Sequence, residues 1–398
     1  MEVDTYKFLM IYFIWVYAPL IQVKFAFTNR TVSVKLGEHI SIARLISELA
    51  AVRTLRITDK IVTYLRSKDI FPEAFLVDLR NINLPEPTIK KRPDGQLEIT
   101  VEGIWYQVTL WETIILSIVN QLYAESVIGF DACAQKRVIT QGENRLMEKI
   151  EILRNTQIEF LQFGLRRRLC GWWEEHATRM ALELMPKNIV AVSNVALANR
   201  LDVSWGGTNA HELYSGFYAL RCHEDKDVAR YAQYEVLEKW QGLYPERLRI
   251  MLPDTFGSKQ FFEKLPKFLA ESFRGARQDS GDPLVFGRML IDMYVRYGID
   301  PRSKTLLFSD GLDVNTMVRL QKIFASLTKV LFGWGTNFTN DTGFLQPISI
   351  VMKLVEAAGN PAVKLSDNLA KAVGTKQAIA RAKNIHGYED GFYQECVY

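Results

Sequence analysis

The chain has 398 residues, 48% hydrophobic and 24% charged, the balance of a globular protein with a sizeable core and not of a disordered one. The formal net charge is +4 and no long run of like charges occurs, so composition gives no argument for nucleic acid or for a charged interaction tail. The four cysteines, Cys133, Cys170, Cys222 and Cys396, form no CxxC pair and no zinc pattern with histidine, which reads as reduced thiols in a cytoplasmic protein.

The first apolar run, Phe8 to Val23, is shorter than the roughly 20 residues a spanning helix needs. Pro19 and Gln22 interrupt it, and Glu2 and Asp4 precede it where a signal peptide carries basic residues. It is expected to be buried in the core or at an interface with a partner subunit, with no membrane role. A strand is expected over Val23 to Val34 and a helix over Ser41 to Leu55. Pro93-Asp94-Gly95 is a turn signal between strand-like flanks. Helical spacing resumes from Glu112 to Ser126.

Beyond residue 150 the rhythm changes. Short apolar runs recur at 158–164, 189–194, 203–208, 248–255, 305–311 and 329–336, with helical stretches such as Asp282 to Gly298 between most of them. Continuous apolar strands alternating with helices mean buried parallel strands. Each run ends in polar residues: Gly164 with Arg166, Ser193 with Asn194, Thr208, Asp254 with Thr255, Asp310, and Gly335 with Thr336. An α/β barrel builds its active site at that end of its strands.

Four stretches carry chemistry. In Phe332-Gly333-Trp334-Gly335-Thr336-Asn337, two glycines let backbone N–H groups converge on an anion; a tight turn is the plainer alternative. In Arg277-Gln278-Asp279-Ser280-Gly281-Asp282-Pro283, the arginine fork suits a carboxylate and Asp279 suits ribose hydroxyls, while Asp282 is expected to cap the next helix. In Ser309-Asp310-Gly311-Leu312-Asp313, two acids suit a sugar or a magnesium-bound diphosphate, unless Asp313 is a helix cap. In Gly206 to Glu212, His211 is either a structural histidine or a nucleophile toward a phosphoryl group, oriented by Glu212 or another acid.

Taken together, the chain resembles the nicotinate phosphoribosyltransferases from about residue 3 to about residue 375. The stretches that carry the resemblance are Asp4-Thr5-Tyr6-Lys7 with Met10, Phe163 to Arg168, Ser193-Asn194, Gly207 to Glu212, Arg277 to Pro283, Phe308 to Asp313, Gly333 to Thr336 and Lys364-Leu365-Ser366-Asp367. The resemblance implies an α/β fold: an N-terminal α/β domain (1–150) at a dimer interface, an incomplete, TIM-like α/β barrel (151–375), and a tail (376–398) without an assignment. It implies a homodimer with shared sites, in which Tyr6 of the partner subunit and Phe163 sandwich a pyridine ring. Arg166, Asn194, Thr208 and Arg277 are then substrate-binding residues, and Gly333, Gly335 and Thr336 hold the ribose 5-phosphate. His211 matches the histidine that the family phosphorylates from ATP. Two departures stand out: Gly311 where many relatives carry Asn, and Ala370 where many carry Gly.

The implied substrates are nicotinate and 5-phosphoribosyl pyrophosphate, and the implied cofactors are ATP and Mg²⁺, the metal arriving on the diphosphate. Asp279 and Asp313 are expected to support the sugar. The nearest alternative is a nicotinamide phosphoribosyltransferase, which carries Asp at the position read as Asn194. A neutral Asn there favours a carboxylate substrate.

Overall fold

The computed structural model describes residues 2–389 and 393–394; Cys396 lies outside the described residues. Helix Thr5–Tyr17 opens the described chain. It is apolar on nearly every side, and Phe8, Leu9, Met10, Ile11, Phe13 and Ile14 are all buried within the same chain. The apolar run is therefore core. It is two elements and not one, because the helix stops before Pro19 and strand β1 (Gln22–Asn29) begins. Among the described residues no single helix is long and apolar enough to cross a membrane.

Strand β1 pairs antiparallel with β3 (Leu97–Ile104), and β3 pairs with β2 (Thr88–Lys91) across the Pro93-Asp94-Gly95 turn. The alternation of β3, with Leu97, Ile99 and Val101 buried and the residues between them more exposed, gives a sheet with one covered face. Helices Ile42–Thr54 and Trp111–Ile128 follow the apolar spacing of the sequence, the first capped by the Ser41 side chain.

Six parallel strands make the second sheet: β4 (Phe160–Gln162), β5 (Ile189–Val192), β6 (Ile250–Met251), β7 (Gly275–Gln278), β8 (Thr305–Phe308) and β9 (Lys329–Trp334). Their spatial order is β5-β4-β9-β8-β7-β6. This is an incomplete α/β barrel. At the open seam Trp205 bridges to Val192, and the Asn209 side-chain amide donates to the Ile250 carbonyl at 3.2 Å. The run 203–208 thus supplies one bridge and a loop instead of a strand, because Gly206-Gly207 turns the chain toward the site. Strand β7 comes from a stretch too short and too polar to read as a strand.

The chain then returns to the first sheet. Strand β10 (Ile350–Ala357) pairs with β1, and β11 (Asn360–Pro361) pairs with β10. The antiparallel sheet is therefore built from both ends of the sequence, and a division at residue 150 describes chain order but not sheet membership. Helix Lys376–His386 follows.

One buried ion cluster joins the layers. The Lys7 ammonium sits 2.7 Å from Glu112 Oε2 and 2.7 Å from Glu212 Oε2, and donates to Thr109 Oγ1 at 2.9 Å. The Trp105 indole donates to Glu212 Oε1 at 2.7 Å. Removing one partner of such a cluster leaves uncompensated buried charge. Lys7→Met is expected to lower unfolding free energy by about 3–5 kcal/mol. Chemical denaturation measures it, and an unchanged midpoint and slope would contradict this role.

Candidate active site

The loops that end the parallel strands face the antiparallel layer across a cleft of about 740 Å³. A narrower chamber opens beside it, and Phe163, Arg166 and Asp279 border both. Asp4, Tyr6, Ser193, Thr208 and Arg277 complete most of the polar and aromatic wall of the chamber.

Tyr6 enters from the first turn of its own chain's N-terminal helix, and its hydroxyl donates to Glu112 Oε2 at 3.2 Å. The expectation that the partner subunit brings this ring is corrected here: the Lys7 cluster fixes the helix, and hence Tyr6, beside its own Phe163. Phe163 follows β4, its N–H bonded to the Trp334 carbonyl. A Cβ placed on Gly333 would lie 1.8 Å from the Phe163 ring, so Gly333 makes room for that ring. Gly335 has ordinary space around a Cβ and borders the cleft with Thr336.

Arg277, on β7, donates from its NH1 to Thr208 Oγ1 at 2.6 Å. Its Nε is buried and has no partner among the described residues. Its NH2 lies 3.8 Å from Asp279 Oδ1, and a planar cation bordering the chamber suits an anionic ligand. Arg166 borders the chamber from the turn Leu165–Arg167, its NH1 3.4 Å from Glu112 Oε1 and its guanidinium 5.8 Å from the Tyr6 ring centre.

Asn194 is not in the chamber wall. Its Oδ1 caps helix Val195–Leu201 by accepting from the Leu197 N–H, and its amide donates to Glu174 Oε2 at 3.2 Å. Its neighbour Ser193 lines the chamber instead and donates to Asp4 Oδ1 at 2.8 Å. A strand end alternates its side chains, so a one-residue difference exchanges site for cap.

His211 begins helix His211–Arg221 and is nearly fully buried. Its Nδ1 is 2.9 Å from Thr255 Oγ1. Its Nε2 is 2.9 Å from Asp279 Oδ2, 2.8 Å from the Lys364 ammonium and 3.5 Å from Asp254 Oδ1. The acids at His211 are thus Asp279 and Asp254, while Glu212 turns to Lys7 on the other side of the helix start. Burial pushes the ring down to about 4 against the pull of Asp254, so it is neutral at physiological pH. A neutral ring has a single N–H, so Nε2 does not donate to Asp279 and accept from Lys364 at once. Burial acts to raise the Asp279 carboxyl, but Arg277, His211 and Lys364 overcome it and hold the group well below the usual range.

The donor atoms of His211, Asp254 and Asp279 lie close enough together to hold a metal ion. The Lys364 ammonium, also 3.4 Å from Asp254 Oδ2, already supplies the cation there. Asp313 is both a cap and a wall: its Oδ1 accepts from the Thr316 N–H at 2.7 Å while the residue borders the cleft. Gly311 has φ +57°, a backbone that glycine adopts freely and that Asn tolerates better than most residues. Ala370 lies in the turn Leu369–Lys371, its N–H donating to the Asn368 side chain.

Sequence reasoning missed Glu112, Lys353, Lys371 and the ion-pairing roles of Asp254 and Lys364. Lys371 pairs with Asp310, and Lys353 lies 3.1 Å from Glu112 Oε1. The signal for Glu112 was present: it is a lone acid among apolar residues at the start of a buried helix.

Residues 158–390 match the nicotinate phosphoribosyltransferase (NAPRTase) family, and residues 1–120 match its N-terminal domain. The chain belongs to the nicotinate phosphoribosyltransferase family. It is similar to the nicotinate phosphoribosyltransferase of Porphyromonas gingivalis, with TM-score 0.87 and 30% identity over 97% of this chain and 98% of that one. The enzyme of Vibrio cholerae aligns with TM-score 0.87 and 28% identity over 98% and 93%. A putative nicotinate phosphoribosyltransferase of Saccharomyces cerevisiae aligns with TM-score 0.83 and 25% identity over 97% of each chain.

The buried ring at 211 makes a testable statement about pH. Its ordinary value is 6.5 and its folded value about 4, so the unfolded chain binds the proton first. The contribution to stability is complete above pH 6.5 and is lost as pH falls through 4. Carbon-labelled histidine NMR of the parent and His211→Asn should assign to His211 a ring that stays neutral to about pH 4. Titration near 6.5 would contradict the buried arrangement.

Proposed function

We propose that this chain joins nicotinate to C1 of 5-phosphoribosyl pyrophosphate, yielding nicotinate mononucleotide and pyrophosphate with ATP hydrolysis, the first step of NAD salvage from nicotinate. The observation that carries the reading is Arg277: a guanidinium clamped by Thr208, in a chamber bordered by Tyr6 and Phe163 that lies beside the large cleft. Two guanidiniums, Arg166 and Arg277, border the chamber and favour a carboxylate over a neutral amide. Asn194, which caps a helix and bonds Glu174, takes no part in that preference.

In this reading Tyr6 and Phe163 fix the pyridine plane, and Arg277 and Thr208 hold the carboxylate, so the ring nitrogen points to the cleft. The nitrogen lone pair forms the bond to C1 as the bond from C1 to the pyrophosphate oxygen breaks. No general base is needed, because the nitrogen carries no proton. Asp279 supports the positive charge that develops on the sugar, and Asp313 faces the sugar or diphosphate from across the cleft. Gly335 and Thr336 take the 5-phosphate. Magnesium carried by the diphosphate would neutralise charge on the leaving group; Asp279 and Asp313 border the cleft and could face it, whereas Asp254 does not border it and Asp310 is paired with Lys371.

His211 is the proposed phosphoryl acceptor. Its neutral ring can present a lone pair at Nε2, and the Lys364 ammonium beside it would meet the arriving phosphate. The proposal retains a cytoplasmic homodimer, with Cys133, Cys170 and Cys222 as free thiols.

Arg277→Lys keeps the charge but loses the fork. It is expected to weaken nicotinate binding by roughly 1.5–3 kcal/mol. Calorimetry with nicotinate measures this, and equal affinity would remove Arg277 from the clamp. His211→Asn should abolish ATP stimulation while slow ATP-independent transfer survives. Acid-labile label from γ-phosphate ATP should appear on the parent and not on the variant; equal labelling of both proteins would eliminate His211 as acceptor.

A further inference from the structure

A single buried carboxylate lies behind both parts of the site. Glu112 Oε2 takes Lys7 at 2.7 Å and the Tyr6 hydroxyl at 3.2 Å. Glu112 Oε1 takes the Lys353 ammonium at 3.1 Å and Arg166 NH1 at 3.4 Å. Tyr6 and Arg166 border the ring chamber, and Arg166 and Lys353 border the large cleft. Glu112 itself lines neither. Four elements meet on this one group: the N-terminal helix, the helix from Trp111, the turn after β4, and β10.

We propose that Glu112 is a positioning residue that couples the pyridine chamber to the diphosphate cleft, by sharing one oxygen between Arg166 and Lys353 while its other oxygen orients Tyr6. The inference rests on the functional reading above and deepens it. An anionic ligand that draws Lys353 toward the cleft leaves Oε1 to Arg166 alone, and Arg166 is then held more firmly at the ring. Pyrophosphate in the cleft therefore tightens nicotinate binding in the chamber, and the reverse holds by linkage.

Charges around the pair give a readout that packing alone would not move. Lys353 is pushed down to about 8, first by burial, with Arg166 and Lys364 adding to it and Glu112 opposing it. Burial acts to raise the Glu112 carboxyl, but Lys353, Lys7 and Arg166 hold it well below the usual range. Asp4 and Glu212 are the other acids nearby, Asp4 electrostatically and Glu212 through Lys7. Without the Glu112 charge, Lys353 loses its proton at a lower pH.

The test uses Glu112→Gln, which keeps the shape and removes the charge, on the full chain with pyrophosphate and nicotinate as probes. Three results are expected. Nicotinate affinity falls about tenfold or more, consistent with the loss of a charged hydrogen bond. Nicotinate binding no longer responds to pyrophosphate. The alkaline loss of pyrophosphate binding, governed by Lys353 in the parent, moves down by about one pH unit or more. A folded Glu112→Gln that matches the parent in all three overturns the proposal. If Glu112→Gln does not fold, Lys353→Met decides it, because Glu112 keeps Lys7 and Arg166 there. That variant should lose both the alkaline limb near pH 8 and the response of nicotinate to pyrophosphate; retention of both overturns the proposal. A parent that binds neither probe overturns the functional reading, whereas a parent that binds both without mutual effect overturns only this inference.

Discussion

The buried ammonium of Lys7 is the constraint on which the rest of the structure depends. An isolated charge in a core is costly, and it persists only where partners satisfy it completely. Here Glu112, Glu212 and Thr109 take its three protons, and Trp105 takes the remaining oxygen of Glu212. Those partners stand on different elements, so satisfying one charge fixes the N-terminal helix against the helix from Trp111 and the helix from His211. Apolar packing around Phe8, Leu9 and Phe13 supplies cohesion, but it tolerates sliding. The ion cluster does not, because its geometry is directional.

That fixation reaches the chemistry through adjacent residues. Glu212 is anchored to Lys7, and His211 precedes it in the chain. With the helix start held on one side, the imidazole is presented on the other, to Thr255, Asp279 and Lys364. Similarly Tyr6 precedes Lys7, so the same anchor sets the aromatic ring at the chamber. Two residues read from the sequence as separate motifs therefore answer to one buried charge. The cationic Lys364 inside an acidic cluster has a further consequence: it balances Asp254 and Asp279 without a resident metal ion there, and it leaves a positive centre next to the imidazole.

Much of this was legible in the sequence. The β8 and β9 runs are continuous and apolar, as buried parallel strands must be, and the polar residues after them do face the cleft. Arg277, Thr208, Phe163 and His211 are brought to one site from four distant stretches. What was not legible involved partners that leave no local pattern. Strand β7 has only four residues and ends in Arg277-Gln278, so nothing in its composition marks a strand; its neighbours β8 and β6 make it one. Strand β10 belongs by sequence to the barrel half, yet it pairs with β1 in the first sheet. Asn194 and Ser193 are adjacent at a strand end, and only the three-dimensional turn decides which one enters the chamber. The choice between Asp254, Asp279 and Glu212 as partners of His211 was likewise beyond spacing alone, since the helix rotation at residue 211 settles it.

The glycine-rich end of β9 shows how one stretch can serve two tasks. A motif of two glycines before threonine reads as an anion cradle, in which both glycines clear space for a phosphate. The structure divides the work. Gly333 clears space for the Phe163 ring, whose carbon would otherwise meet a Cβ at 1.8 Å, while Gly335 and Thr336 border the cleft. The stacking ring and the proposed phosphate site therefore meet along the same few residues of backbone. In a displacement at C1, the pyridine nitrogen must meet a carbon attached to that phosphate through the ribose. The Phe163 N–H bonds to the Trp334 carbonyl, so the ring wall and the anion wall stand at the ends of two directly paired strands, and ladder spacing sets their separation.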